Sequence, residues 1–99
     1  MTVLCDFCSA ANPVWSFDCA TYPVPDLGVV SQGAWLACED CAALIRGEAW
    51  QDLAGRGCLT PTGRMLARTI GKPEAIRQIG DMHAGFRLRR TGEFHRLEM

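Results

Sequence analysis

Apolar residues along this chain change spacing at Cys38. Before it they come in short runs broken by turn formers. CDFCSAANP (5–13) ends in Asn12-Pro13, a turn signal, and reads as a loop. Val14-Trp15-Ser16-Phe17 follows as a short strand, Pro23, Pro25 and Gly28 break the chain around Leu27–Val30, and Gly33-Ala34-Trp35-Leu36-Ala37 leads into Cys38. The 14–19 and 29–36 stretches are predicted to pair as a β-hairpin.

After Cys38 the spacing is helical. In EDCAALIRGEAWQDLAGRG (39–57), Cys41, Leu44, Ile45, Ala49 and Leu53 recur at three- and four-residue steps. Glu39 and Asp40 fall in the first turn, where carboxylates suit the positive end of the helix dipole. Gly47 is placed to split the segment into two short helices, with Gly55 or Gly57 closing the second. Thr60-Pro61 has the form of an N-cap followed by proline at the first helical position. In the helix it opens, Met65, Leu66 and Ile70 form an apolar side, and Arg64, Arg68 and Lys72 recur every four residues on another. Gly71 is expected to end that helix. Pro73 opens the next, with Ile76, Ile79, Met82 and Phe86 at helical spacing and Gly85 as its expected stop. The tail RLRRTGEFHRLEM (87–99) reads as a strand-like arm or a disordered end.

Charge divides the chain at nearly the same place as the helices begin. Residues 1–55 hold seven acids and one base, Arg46, whereas residues 56–99 hold nine bases and four acids; the net charges are −6 and +5. All three tryptophans and the tyrosine lie in the first part. Two regions are therefore predicted, an N-terminal module over 1–57 and a basic helical segment over 58–99 packed on it, with a flexible tail.

Six cysteines in 99 residues are many for a chain with little capacity to bury a core. The start has no basic and apolar leader, and the longest apolar runs fall far short of the ~20 residues of a membrane span. The expected compartment is the cytoplasm, where thiols stay reduced and paired cysteines point to metal. CDFC (5–8) and CEDC (38–41) are two C-x2-C pairs separated by 29 residues. Such pairs can supply a tetrahedral all-sulfur shell, so Cys5, Cys8, Cys38 and Cys41 are the predicted ligands of one structural zinc ion. Iron accepts the same four sulfurs, and zinc is the commoner occupant. A redox C-x2-C would need nearby positive charge, whereas these pairs carry Asp6, Glu39 and Asp40 between their cysteines. With four protein sulfurs on the ion, no position remains for substrate, which argues against metal catalysis.

A loop knuckle, a hairpin and a helix carrying the last two ligands give an α+β fold resembling the treble clef, with a zinc ribbon bearing appended helices as the alternative. CDFCSAANPVWSF (5–17) and GAWLACEDCAALIRGEAWQDLAGR (33–56) also resemble a group of small actinobacterial and actinophage proteins that share a CDFC-S…PVW opening and a W-x-A-C-x-x-C helix start. The resemblance covers under half the chain. It implies a zinc-bound fold at the same four cysteines and an actinobacterial source, and it implies no activity.

Cys19 and Cys58 lack a partner at metal spacing and read as small buried hydrophobes. His83 is expected to be half-buried on a helix face and His95 solvated. A thiol enzyme built from Cys58 with either histidine would need a contact that spacing does not supply. Trp15 and Trp35 read as core, and Trp50, after Gly47-Glu48, as the tryptophan exposed on an acidic face and available to a protein partner. The leading functional expectation is a non-enzymatic zinc module that binds another protein, without membrane or small-molecule substrate. The alternative is nucleic-acid binding through Arg64, Arg68, Lys72, Arg87, Arg89 and Arg90.

Overall fold

The computed structural model describes residues 3–20, 22–24, 29–31 and 33–97. The breaks expected at Pro25 and Gly28, and Leu27, lie outside the described residues. Strand β1 (Trp15–Cys19) is the middle of a three-stranded antiparallel sheet of order β4-β1-β5, between β4 (Trp35–Ala37) and β5 (Arg90–Arg96). β1 faces β4 with Trp15 opposite Ala37 and Phe17 opposite Trp35. The predicted hairpin is correct for 35–37 and wrong for 29–31. Val29–Ser31 is β3, and it pairs with β2 (Tyr22–Val24) in a separate two-stranded ribbon. Strands β2 and β3 sit next to each other in the chain, so their pairing closes a shorter loop than pairing with β1 would.

Over residues 90–96 the tail is the strand-like arm and not a disordered end. It returns to β1 with Trp15 opposite Arg96 and Phe17 opposite Phe94, and Leu97 N–H donates to Val14 O at 2.8 Å. Phe94 explains the docking, because its ring stacks on Phe17 at 5.3 Å and meets Trp15 edge-on at 5.7 Å.

Among the described residues four helices complete the α+β fold: α1 (Glu39–Arg46), α2 (Trp50–Gly57), α3 (Pro61–Ile70) and α4 (Lys72–Arg89). The split at Gly47, the Thr60 cap and the stop at Gly71 fall where the sequence puts them; Thr60 Oγ1 accepts from Gly63 N–H at 2.9 Å. Gly85 does not end α4, which runs through it to Arg89. A mid-helix glycine costs only about 1 kcal/mol, and Phe86, one residue on, is fully buried. Its ring lies 5.1 Å from Trp35 and 5.4 Å from Phe7, so aromatic packing holds the helix together past the glycine.

The inward stripe of α4 is Ala75, Ile79, His83 and Phe86. Met82, expected on that stripe, is 46% exposed, and Met65 and Ile70 of α3 are exposed as well. Glycine accounts for α3. A Cβ built at Gly63 would stand 2.1 Å from Gly57 O, so the helix approaches the end of α2 through a bare backbone and its larger apolar residues are turned outward. Among the described residues no helix is long and apolar enough to cross a membrane.

Candidate metal centre

The loop that carries the first two cysteines is a tight knuckle. Ser9 N–H donates to Cys5 O at 2.9 Å and Cys5 N–H to Ala10 O at 2.8 Å, with Ser9 in the left-handed region at φ 67°. Phe7, between the two cysteines, drives its ring into the core and fixes the knuckle from below; it is 1% exposed and packs on Trp35, His83 and Phe86. The second pair sits on a helix start. Cys38 is the N-cap of α1 in extended conformation, and Cys41 lies in the first turn beside the positive end of the helix dipole.

These elements bring Cys5, Cys8, Cys38 and Cys41 together. All four are buried, and their sulfurs lie within 4.8 Å of one another. Cys8 Sγ and Cys38 Sγ, one from each pair, are 3.7 Å apart. A tetrahedral thiolate shell with bonds near ~2.3 Å has sulfur–sulfur edges of about 3.8 Å, so the four cysteines can hold a metal ion.

The thiols share protons unevenly. Contact with Cys41, helped by the backbone N–H groups of Cys38, Phe7 and Cys8, outweighs burial and holds Cys5 down to about 4. The same contact, with burial, drives Cys41 far up, and burial raises Cys8. Cys5 and Cys41 thus favour sharing one proton between them, and binding a metal releases the protons that remain.

Arg56, on the last turn of α2, reaches the cluster with its guanidinium. Its Nε donates to Cys41 Sγ at 3.3 Å, and its Nη2 lies 3.6 Å from Cys8 Sγ and 3.8 Å from Cys38 Sγ. Phe7 N–H donates to Cys5 Sγ at 3.4 Å. Each of the four sulfurs therefore has a donor. Asp40 Oδ2 lies 3.8 Å from Arg56 Nη2 and ties the guanidinium to α1. The bond to Cys41 is the main reason Arg56 is held even more firmly in its charged form than a free arginine.

Arg56, Asp6 and Phe7 are functional neighbours that motif reading missed. Asp6 and Phe7 were visible inside CDFC, where a carboxylate and an aromatic ring flank the ligands. Arg56 had a weaker signal: it is the first cation after the acidic stretch, and helical spacing alone does not aim it at sulfur 15 residues earlier.

The remaining candidates are dispersed. Arg64 and Arg68 on α3 and Lys72 at the start of α4 are exposed. Arg87 and Arg90 lie elsewhere, their guanidinium carbons 4.8 and 4.9 Å from the ring centroid of Trp50, and Arg90 also bonds Glu48 at 3.2 Å. Arg89 closes α4, its Nη1 donating to Gly85 O at 3.4 Å. Trp50 is half-buried and packs on the core cluster between these cations, not on an acidic face. Cys19 is buried as expected, Cys58 only half-buried; His83 is more buried than expected, and His95 is exposed on β5. No family model, curated protein or solved structure matches this chain.

Proposed function

We propose that this chain is a non-enzymatic zinc protein of the treble-clef kind, acting in the cytoplasm as a protein-interaction or regulatory module. One observation carries the metal reading: four buried thiols converge within 4.8 Å with a guanidinium against them. A knuckle loop, the β1–β4 pair and a helix start that bears the last two cysteines support the treble-clef reading. Four protein sulfurs fill a tetrahedral shell, so the ion is structural, and its binding supplies folding energy to a small core. The resemblance to small actinobacterial and actinophage proteins is compatible with this role. The apolar side chains exposed on the helical half, among them Leu59, Met65, Met82 and Leu88, support a protein partner.

Metal analysis of reduced, purified protein tests the reading: one zinc per chain is expected. Iron in its place would change the ion, and folded protein without metal would overturn the reading. The interaction role is tested by crosslinking in cells with and without exchange of Leu59 and Met65 to serine; no partner sensitive to those changes would count against it.

A second reading, nucleic-acid binding, rests on the exposed Arg64, Arg68 and Lys72 at four-residue steps. It requires affinity that falls steeply with salt, as phosphate contacts release counterions, and no retention of nucleic acid at ~50 mM salt removes it.

A further inference from the structure

Arg56 makes contacts that a merely solvated arginine would not. Its side chain is only 29% exposed, and two of its nitrogens address three different cysteine sulfurs. The donors are divided by position: Nε serves Cys41, while Nη2 lies between Cys8 and Cys38. Because Cys8 belongs to the first pair and Cys38 and Cys41 to the second, a single guanidinium bridges the two halves of the ligand set. Four thiolates around a divalent ion carry a formal charge of −2, and the guanidinium brings the assembly to −1.

The position of Arg56 is set by its neighbour. A Cβ built at Gly57 would meet Ile79 Cγ2 of α4 at 2.6 Å, and Gly57 O is the atom that α3 approaches at Gly63. The end of α2 is thus pressed between α3 and α4, and the arginine one residue earlier is held over the sulfurs by packing that originates in residues 61–89.

We infer that Arg56 is a positioning residue of the metal centre, a clasp across both cysteine pairs, seated by the C-terminal helices, that governs how fast the centre gives up its ion. The inference rests on the zinc reading above. Hydrogen bonds to thiolate sulfur draw electron density from it, making each sulfur a weaker target for a proton or a competing ligand. Outer partners of metal ligands typically change metal affinity by about 10- to 100-fold. Lysine in the same place would keep the charge but could not reach separate sulfurs with a planar fork.

The test uses the full chain, loaded with zinc or cobalt(II), as wild type, Arg56→Gln, Arg56→Lys and Asp40→Asn. Three quantities are read: metal per chain, the rate of zinc transfer to excess chromogenic chelator at fixed pH, and the sulfur-to-cobalt charge-transfer band. All four proteins should bind one ion. Arg56→Gln should release zinc at least ~10-fold faster and shift the band to lower energy, because its sulfurs are more electron-rich. Arg56→Lys should fall between, and Asp40→Asn should stay within about 2-fold of wild type, as a long ion pair whose carboxylate is exposed contributes little. Faster release with an unmoved band would assign Arg56 to packing alone and overturn the clasp, as would a wild-type rate in Arg56→Gln. If Arg56→Gln does not fold, Arg56→Lys decides, and a wild-type rate there overturns the proposal. A metal-free wild type would overturn the zinc reading and the clasp with it, whereas a zinc-loaded wild type with indifferent variants overturns the clasp alone.

Discussion

Asp6 and Leu36 hold each other through a reciprocal pair of hydrogen bonds: Asp6 N–H donates to Leu36 O at 2.8 Å, and Leu36 N–H donates to Asp6 Oδ2 at 2.6 Å. Leu36 lies on β4, an edge strand, so the cysteine knuckle occupies the edge that β4 would otherwise leave open. The carboxyl is raised by burial, a cost that the Leu36 bond partly offsets. This link fixes Cys5 and Cys8 relative to Cys38, two residues beyond Leu36.

Asp6→Ala removes the acceptor and strands the Leu36 N–H at the knuckle. The expected loss is about 1–2 kcal/mol in urea unfolding of the metal-loaded protein, with Asp6→Asn losing less because an amide oxygen still accepts. Equal stability of Asp6→Ala and wild type would show that the knuckle is held by the metal and Phe7 alone.

Three glycines near Arg56 should respond differently to alanine. Among the described residues nothing lies within 4 Å of a Cβ built at Gly55, which sits inside α2, so Gly55→Ala should stabilise by about 0.5–1 kcal/mol. Gly57→Ala meets Ile79 Cγ2 at 2.6 Å, a methyl on a stiff β-branched side chain that yields only with a change of rotamer or a shift of α4, and should cost about 1–3 kcal/mol. Gly63→Ala meets the backbone of Gly57 and Cys58, which cannot yield without moving α2, and should be the most damaging of the three. Thermal unfolding of the set checks the order.

What the chain discloses on its own is what local chemistry decides. The four ligands, the α1–α2 split at Gly47, the Thr60 cap and the Gly71 stop depend on residues within a few positions of each other. β5 was legible only as one of two alternatives, a strand-like arm or a disordered end, because RTGEFHR is charged and carries one aromatic, and the Phe17 and Trp15 rings that seat Phe94 in the sheet lie far off in sequence. The continuation of α4 through Gly85 likewise depends on Phe86 finding Phe7 and Trp35, contacts that span most of the chain. Periodicity put Met65 on the apolar side of α3 and Met82 at helical spacing on α4, but both are exposed; in α3 the close approach of Gly63 to Gly57 turns bare backbone inward instead. Arg56 was hidden for the same reason, since its meaning lies in which sulfurs it meets.

Those long-range contacts predict how metal loss spreads. Serine at Cys5, Cys8, Cys38 or Cys41 should abolish binding of the ion, at a cost of up to ~10 kcal/mol of apparent folding energy. Phe86 and β5 place the C-terminal half in the same core and sheet as the cysteine module. Tryptophan fluorescence and helical circular dichroism should therefore report one coincident transition on chelation. Cys58→Ser should keep the metal with little change, and Cys19→Ser should keep it at a cost of about 1–3 kcal/mol for a buried hydroxyl. Separate transitions for tryptophan and helix would mean that the helices stand without the module.

His83 gives the fold its own acid sensitivity. The imidazole is 5% exposed, its Nδ1 has no hydrogen-bond partner among the described residues, and its ring meets Phe7 edge-on at 5.3 Å. Trp50, Asp81, Arg77 and Arg87 line the groove beside it. Burial lowers its pKa from 6.5 to about 4. Between those values the unfolded chain carries a proton that the folded chain refuses, so stability is full above pH 6.5 and falls as pH drops toward 4. The whole effect is about 3 kcal/mol. Protonation of the thiolates adds a slope of its own, which His83→Leu shares. The difference between the two proteins therefore isolates the imidazole. His83→Leu should be more stable by about 1 kcal/mol at neutral pH, since an unpaired buried nitrogen is removed, and its lead should widen through the acid range. Parallel stability profiles for the two, measured by urea unfolding across that range, would show that the imidazole finds a proton or a partner inside the fold.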